Sequence, residues 1–263
     1  MIHNQNPAVL DSPLIGWDNL VPQGTLAATS AAAGAPVTGL LNGVTTDPWR
    51  PAAMPATVTL ELAAPRYASM LCLAAHDLGT QGVTVILERL VGATWTLVMQ
   101  VTPTDDTPLI LSFAAVSAED WRVRFTGATV FRLAVMSLCL GLQVPGRIVP
   151  PHAPLHRISE VELVGDSESG TGEFLQADFN RTGGYASINF SVQLADFAAG
   201  EDFEAFRQHY NRGRPFFMAC FPTFEPRDVG YLWRSQRAAS IVPAYRDAVF
   251  MSIGMECSAY VER

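Results

Sequence analysis

Lysine is absent from this chain of 263 residues, whose 17 basic residues are all arginine. That alone excludes a P-loop lysine, a Schiff-base lysine and a Ser–Lys dyad. Charge is scarce: 16% of residues are charged against 49% hydrophobic, which suits a protein that buries much of its surface in cores or against neighbours. What charge there is leans acidic, at −8 net, whereas general nucleic-acid binding needs a basic surface. No apolar run reaches 18 residues, so no membrane span is expected. Met1 to Leu14 has neither a basic region nor an apolar core, so the sequence predicts no signal peptide there and folding in a cytoplasm. The four cysteines, Cys72, Cys139, Cys220 and Cys257, form no CxxC pair and lie in apolar runs. They read as buried free thiols rather than as a metal or iron–sulfur site.

What is present is a succession of short apolar runs. Thr57–Leu62, Tyr67–Ala75, Val83–Arg89, Thr94–Val101, Leu109–Phe113, Trp121–Thr126 and Val130–Leu140 read as strands, with Pro65, Gly79, Gly82, Gly92, Pro103 and Pro108 between them. The last run is nearly all apolar, as a strand buried on both faces would be. Residues 21–56 are rich in Ala, Gly, Thr and Pro and read as long loops. Prolines at 145, 150, 151 and 154 mark residues 143–154 as a linker, where neither helix nor central strand survives. His152 and His156 fall in and beside it, and the prolines deny them the helix that would bring them onto one face. The second segment, 155–263, carries strands around Ile158–Val164, Phe174–Phe179 and Tyr185–Leu194. One helix follows, with Glu201 and Asp202 in its first turn, an apolar stripe of Phe203, Phe206 and Tyr210, and Gly213 as its stop. Further strands are expected at Pro215–Phe221, Tyr231–Arg234, Ala244–Met255 and Cys257–Val261.

The order of signals in the first part resembles the discoidin-like (galactose-binding-like) jelly roll. Its carriers are Asn42-Gly43, Thr46 and Trp49, then Gly92-Ala93-Thr94-Trp95, then Arg122-Val123-Arg124, within roughly residues 15–142. The later order of strands, one amphipathic helix, the Pro215-Phe216-Phe217 strand and a closing pair resembles the tube-type domains of bacteriophage tails. Together they resemble distal tail (tail-tip, baseplate) proteins, although in many of those the ring domain comes first. The resemblance implies a mainly β chain: an N-terminal jelly-roll β-sandwich (1–142), a Pro-rich linker (143–154) and a ring-forming, tail-tube-like β-barrel or sandwich with one flanking helix (155–263). It implies a structural virion protein, made in the bacterial host cytoplasm, that joins six copies into a ring extending the tail tube, or three into a hub, with other tail proteins such as tail tube and hub as partners. The alternative is a carbohydrate-binding module or adhesin for a cell-surface saccharide.

No constellation for catalysis stands out, and no enzyme or cofactor is expected. Asp105/Asp106, Glu119/Asp120 and Asp166/Glu168 read as solvated loop acids, whereas paired general acids and bases must be held across a cleft. His76-Asp77 has no nucleophile in a recognisable elbow. Asp18, Asn19, Asn42 and Asp47 carry oxygen atoms suited to calcium but match no EF-hand pattern, and no metal is assigned. Possible saccharide contacts are Trp49, Trp17 and Trp95, each of which also reads as a core plug. For subunit contacts the candidates are Phe203, Arg207, Tyr210, Arg214 and Arg234, within an arginine-rich segment that also holds Arg212, Arg227, Arg237 and Arg246.

Overall fold

The computed structural model describes residues 1–9, 11–144, 146–149, 153–155, 161–168, 174–193, 201–235, 238–242, 244–245 and 250–260. Its first half holds β1 (Ile2–Asn4), β2 (Leu14–Gly16), β3 (Thr25–Ala28), β4 (Ala56–His76), β5 (Thr84–Val91), β6 (Thr94–Val101), β7 (Leu109–Thr126) and β8 (Leu133–Cys139). The second half holds β9 (Leu142–Gln143), β10 (Gly146–Ile148), β11 (Val161–Glu168), β12 (Phe174–Gln193), helix α1 (Glu201–Asn211), β13 (Phe216–Phe221), β14 (Glu225–Arg234), β15 (Ala244–Tyr245) and β16 (Phe250–Ala259). The chain is mainly β, as the sequence suggests. Among the described residues no helix is long and apolar enough to cross a membrane.

In the first half, one seven-stranded sheet bends over to make both layers of a sandwich. Early in β4, residues from Ala56 to Glu61 pair with the Asp120–Phe125 end of β7, between β3 and β5. Later in β4, Arg66 to Leu73 pairs with the Leu109–Ala118 end of β7, with β8 and β1 alongside. Register shifts between Glu61 and Arg66 and between Ala68 and Met70 turn the corner. Pro65 sits in that corner, where the ladder is interrupted and a missing N–H costs nothing. The four runs that the sequence divides at such breaks are therefore two long strands. Alternate residues (Val58, Leu60, Leu71, Leu73, Trp121, Val123, Phe125) point inward into one apolar core.

The second half is an open sheet in the order β10-β12-β16-β14-β13-β2-β9, with β11 on β12 and β15 on β16. Neither sheet closes among the described residues, so the barrel form of the expectation gives way to an open sheet with a helix on one face. The predicted stripe packs onto that face: Phe203, Phe206 and Tyr210 join Ile188, Phe190, Phe216, Ile253 and Met255 in a second core. The Tyr210 hydroxyl donates to the Glu256 carbonyl at 2.8 Å, fixing the helix to β16. Gly213 ends the turn after the helix with φ +71°, which only glycine adopts without strain.

β2 comes from the first sixteen residues yet lies between β13 and β9. The second sheet's other face rests on the first unit. Met70, Cys72, Ala74, Ile110, Ala134, Val135 and Cys139 meet Phe217, Ala219, Val229 and Tyr231 in a third core. Gly16 lies in this seam; a Cβ there would come within 2.9 Å of the Cys139 sulfur. All four cysteines are buried and unbridged. β8 is buried along its whole length because its two faces line two different cores. Within 143–154, Gly146–Ile148 pairs, among the described residues, with β12 alone, an edge position compatible with nearby prolines. Pro145, Pro150, Pro151, His152, His156, Arg237 and Arg246 lie outside the described residues. The layers thus run sheet, sheet, sheet, helix, and the outer face of the β3-β4-β7-β5-β6 layer is left uncovered by any described element.

Candidate functional site

The three tryptophans meet different fates. Trp49 is 0% exposed. Its backbone bridges Leu133, its indole N–H donates to the Ser30 carbonyl at 3.1 Å, and its ring sits 5.8 Å from Phe125 and 5.5 Å from Phe131. No ring face remains for a sugar, which corrects that reading of Trp49: it plugs the sandwich. Trp17 is half-buried against the second core beside the helix, 5.3 Å from the His209 ring and 6.4 Å from Phe206. Trp95 is half-buried on the outer face of β6, opposite Leu90 of β5.

Around Trp95 the outer face carries a charged cluster. Arg122 and Arg124 are two apart on β7 and so point the same way, with Arg122 opposite Glu88 of β5. Both guanidiniums converge on the Glu88 carboxylate. Arg122 Nε donates to Oε2 at 2.5 Å; Arg124 donates from Nε to Oε2 at 2.8 Å and from Nη2 to Oε1 at 3.2 Å. The Arg122 guanidinium also lies 4.4 Å over the Trp95 ring, a cation–π stack. Glu88 is only 6% exposed. Burial alone would raise its pKa, but the two arginines outweigh that and hold the carboxyl below its ordinary value, so it stays ionised. The result is an indole with one face covered by a guanidinium whose orientation one carboxylate fixes. The motif residues Arg122 and Arg124 were legible in the sequence. Glu88 was not singled out; its signal is a lone acid within the apolar run of β5.

The remaining candidates are dispersed. Asn42 and Asp47 bond each other at 2.8 Å, while the side chain of Asn19 serves the backbone of Val21, Met136 and Leu138. Asp18 bonds Gln23 and pairs with Arg66. The four oxygen-bearing residues are thus spent at two separate places. Among the described residues no three His, Cys, Asp or Glu side chains gather as a metal site would require. Glu119 and Asp120 lie on β7 and Asp166 and Glu168 on β11, not in loops. In the loops at one end of the sandwich, Asp105 accepts from Thr107 and Asp106 from Thr80, while Asp77 accepts from the backbone of Arg132. His76 lies beneath them, 0% exposed, with neither ring nitrogen partnered. Burial, only partly offset by Asp106, brings its pKa down to about 4.

Of the proposed subunit contacts, Phe203 and Tyr210 are committed to the chain's own second core, which removes them from any shared surface. Arg207 binds Glu204 through two N–H groups, at 2.7 and 2.6 Å, and donates to the Ile241 carbonyl. Arg234 donates to the carbonyls of Asn211 and Ala238, tying the helix end to β14. Arg214 is exposed.

Comparison with known proteins gives no matching family model and no matching curated protein. Solved structures similar to this chain include a chitosan-binding module from the chitosanase/glucanase of Paenibacillus sp. IK-5, at 20% identity, covering 47% of this chain and 98% of that one, with a TM-score of 0.41. A family 32 carbohydrate-binding module from NanJ of C. perfringens, solved with galactose, is similar at 17% identity over 47% and 98%, with a TM-score of 0.40. The family 32 module of EndoD from Streptococcus pneumoniae matches at 19% over 47% and 99%, with a TM-score of 0.41.

Proposed function

We propose that this chain is a non-catalytic binding protein whose first unit presents a saccharide-binding face centred on Trp95. One observation carries this reading: of the three candidate tryptophans, Trp95 alone stands on the outer sheet face, with an oriented guanidinium stacked on one side of its indole. A sugar ring has an apolar face that suits an indole and a rim of hydroxyls that suits such donors. The second unit holds the sandwich from behind through the shared apolar seam, and among the described residues no element covers the outer face. Trp95→Ala is expected to lower affinity for a bound oligosaccharide about tenfold without changing the melting temperature of the seam-joined body by more than a few degrees. A panel of galactose- and glucosamine-based oligosaccharides screened by calorimetry supplies the ligand; equal binding by wild type and variant would refute the Trp95 site.

Assembly is the second reading, favoured by two exposed apolar side chains on the second unit, Phe224 at 82% and Val242 at 74%. In its finer form this is a ring of six copies, or three, at a phage tail tip, meeting tail tube and hub through the second unit. Arg214 remains a candidate contact there. Light scattering at high protein concentration is expected to report a mass several times 28.4 kDa. A strictly monomeric mass across the concentration range would end this second reading and leave the first intact.

A further inference from the structure

We infer that the ligand of the Trp95 face is an acidic saccharide, one whose ring carries a carboxylate. This rests on the saccharide reading above and adds the charge class. The observation is which guanidinium atoms are already used. Glu88 takes Arg122 only through Nε, and takes Arg124 through Nε and Nη2. Among the described residues both terminal nitrogens of Arg122, and Nη1 of Arg124, have no protein acceptor. Guanidinium groups keep their charge at any working pH, and their paired terminal N–H groups match the two oxygens of a carboxylate.

Three charges meet here, two positive and one negative, leaving one positive charge uncompensated within the cluster. Glu88 cannot protonate to alter that balance near neutrality, because the arginines hold its carboxyl below the usual range. The cluster also has a fixed shape. Arg122 is clamped between Glu88 at 2.5 Å and the Trp95 ring at 4.4 Å, so little side-chain entropy is left to lose on binding. Arg124 stands two residues along the same strand, ~7 Å away, within reach of the same ligand ring or its neighbour. The acidic end of the face begins two residues from Arg122, as near to it along β7 as Arg124 is. Asp120 and Glu61 oppose each other one row further along β7 and β4. They make the face bipolar, acids at one end and arginines at the other, which would repel a carboxylate at the wrong end and so set its direction.

A uronic acid carries its carboxylate on the ring itself. Because the Arg122 guanidinium covers one face of the Trp95 indole, the ligand ring packs against the Arg122–Trp95 stack with its carboxylate turned to the terminal Arg122 nitrogens. A neutral hexose in the same place offers only hydroxyls to donors that prefer an anion. Charge-assisted hydrogen bonds are stronger than neutral ones by an amount worth about tenfold or more in affinity.

The test compares a short oligogalacturonate with the same oligosaccharide fully methyl-esterified, which keeps every ring and removes only the charge. The full chain is titrated with each. The acid is expected to bind at least about tenfold more tightly, and its affinity to fall as salt rises from about 0.05 M to 0.5 M, where screening shortens from over 10 Å to a few. Arg122→Gln is expected to abolish the preference. Arg122→Lys, which keeps the charge but not the paired donors, is expected to restore it only in part. Thermal melting of each variant identifies a folding defect, and the salt series needs no variant. Ester binding equal to acid binding, unaffected by salt, would overturn the acidic class while leaving the saccharide reading in place. Binding of neither probe would overturn the acidic class, and the panel above then decides the saccharide reading separately.

Discussion

Trp49→Ala is expected to destabilise the protein by about 3–5 kcal/mol, the cost of emptying a fully buried aromatic site that cannot collapse. For a body of this size that lowers the melting temperature by on the order of 10 °C. The mechanism is specific. Phe125 and Phe131 stand 4.7 Å apart and both lean on Trp49, so removing the indole unpacks a three-ring cluster rather than one contact. The Ser30 carbonyl loses its indole donor as well. Trp49→Phe, which keeps part of the volume, is expected to recover about half of the loss. Differential scanning calorimetry checks both. A loss under 1 kcal/mol for the alanine variant would mean that the loop from Ser30 to Arg50 does not seal the sandwich.

His76 makes the second large effect, and it is a function of pH. A histidine in the unfolded chain titrates near 6.5, whereas burial brings the folded value down to about 4. The unfolded state therefore binds the proton first as pH falls. The stability attached to the neutral ring is fully present above about pH 6.5, declines between 6.5 and 4, and is exhausted below 4. Over that window the loss is about 3 kcal/mol, from the difference between the two values. His76→Leu, which removes the titrating group while keeping an apolar filler, is expected to flatten the acid limb. Neither ring nitrogen has a partner to lose, so its stability at pH 7 should not fall by more than about 1 kcal/mol. Urea midpoints measured from pH 4 to 7 for both proteins decide the matter; parallel curves would show that His76 does not report its own burial.

Much of this architecture was readable in the residues. The helix was, because Phe203, Phe206 and Tyr210 fall on one face, with acids at its start and Gly213 beyond its end. The doubly buried strand was, because Leu133–Cys139 has no polar alternation beyond one serine. The chain's turns were harder. Pro65 looked like a stop and is a bend, since interrupted pairing and ended pairing leave the same mark on a sequence. β1, β2 and β3 are three or four residues long, too short for a period of two to be seen, and they owe their conformation to distant partners. The aromatic candidates were nameable, but their fates were not. Trp49, Trp17 and Trp95 each follow a turn-rich or polar stretch, and which one meets solvent depends on which layer covers which. Glu88 escaped because its meaning lies in Arg122 and Arg124, more than thirty residues away in the chain.

The borrowed strand β2 has a consequence in time. Gly16 pairs with Phe217, a partner that leaves the ribosome some 200 residues later. At about 5–20 residues per second, that is a wait on the order of 10–40 s. During it the sandwich, whose other strands are already synthesised, can close around its own core, while Leu14–Gly16 must stay available at its margin. Pairing of Leu14–Gly16 with β13 must therefore follow the synthesis of both halves of the chain.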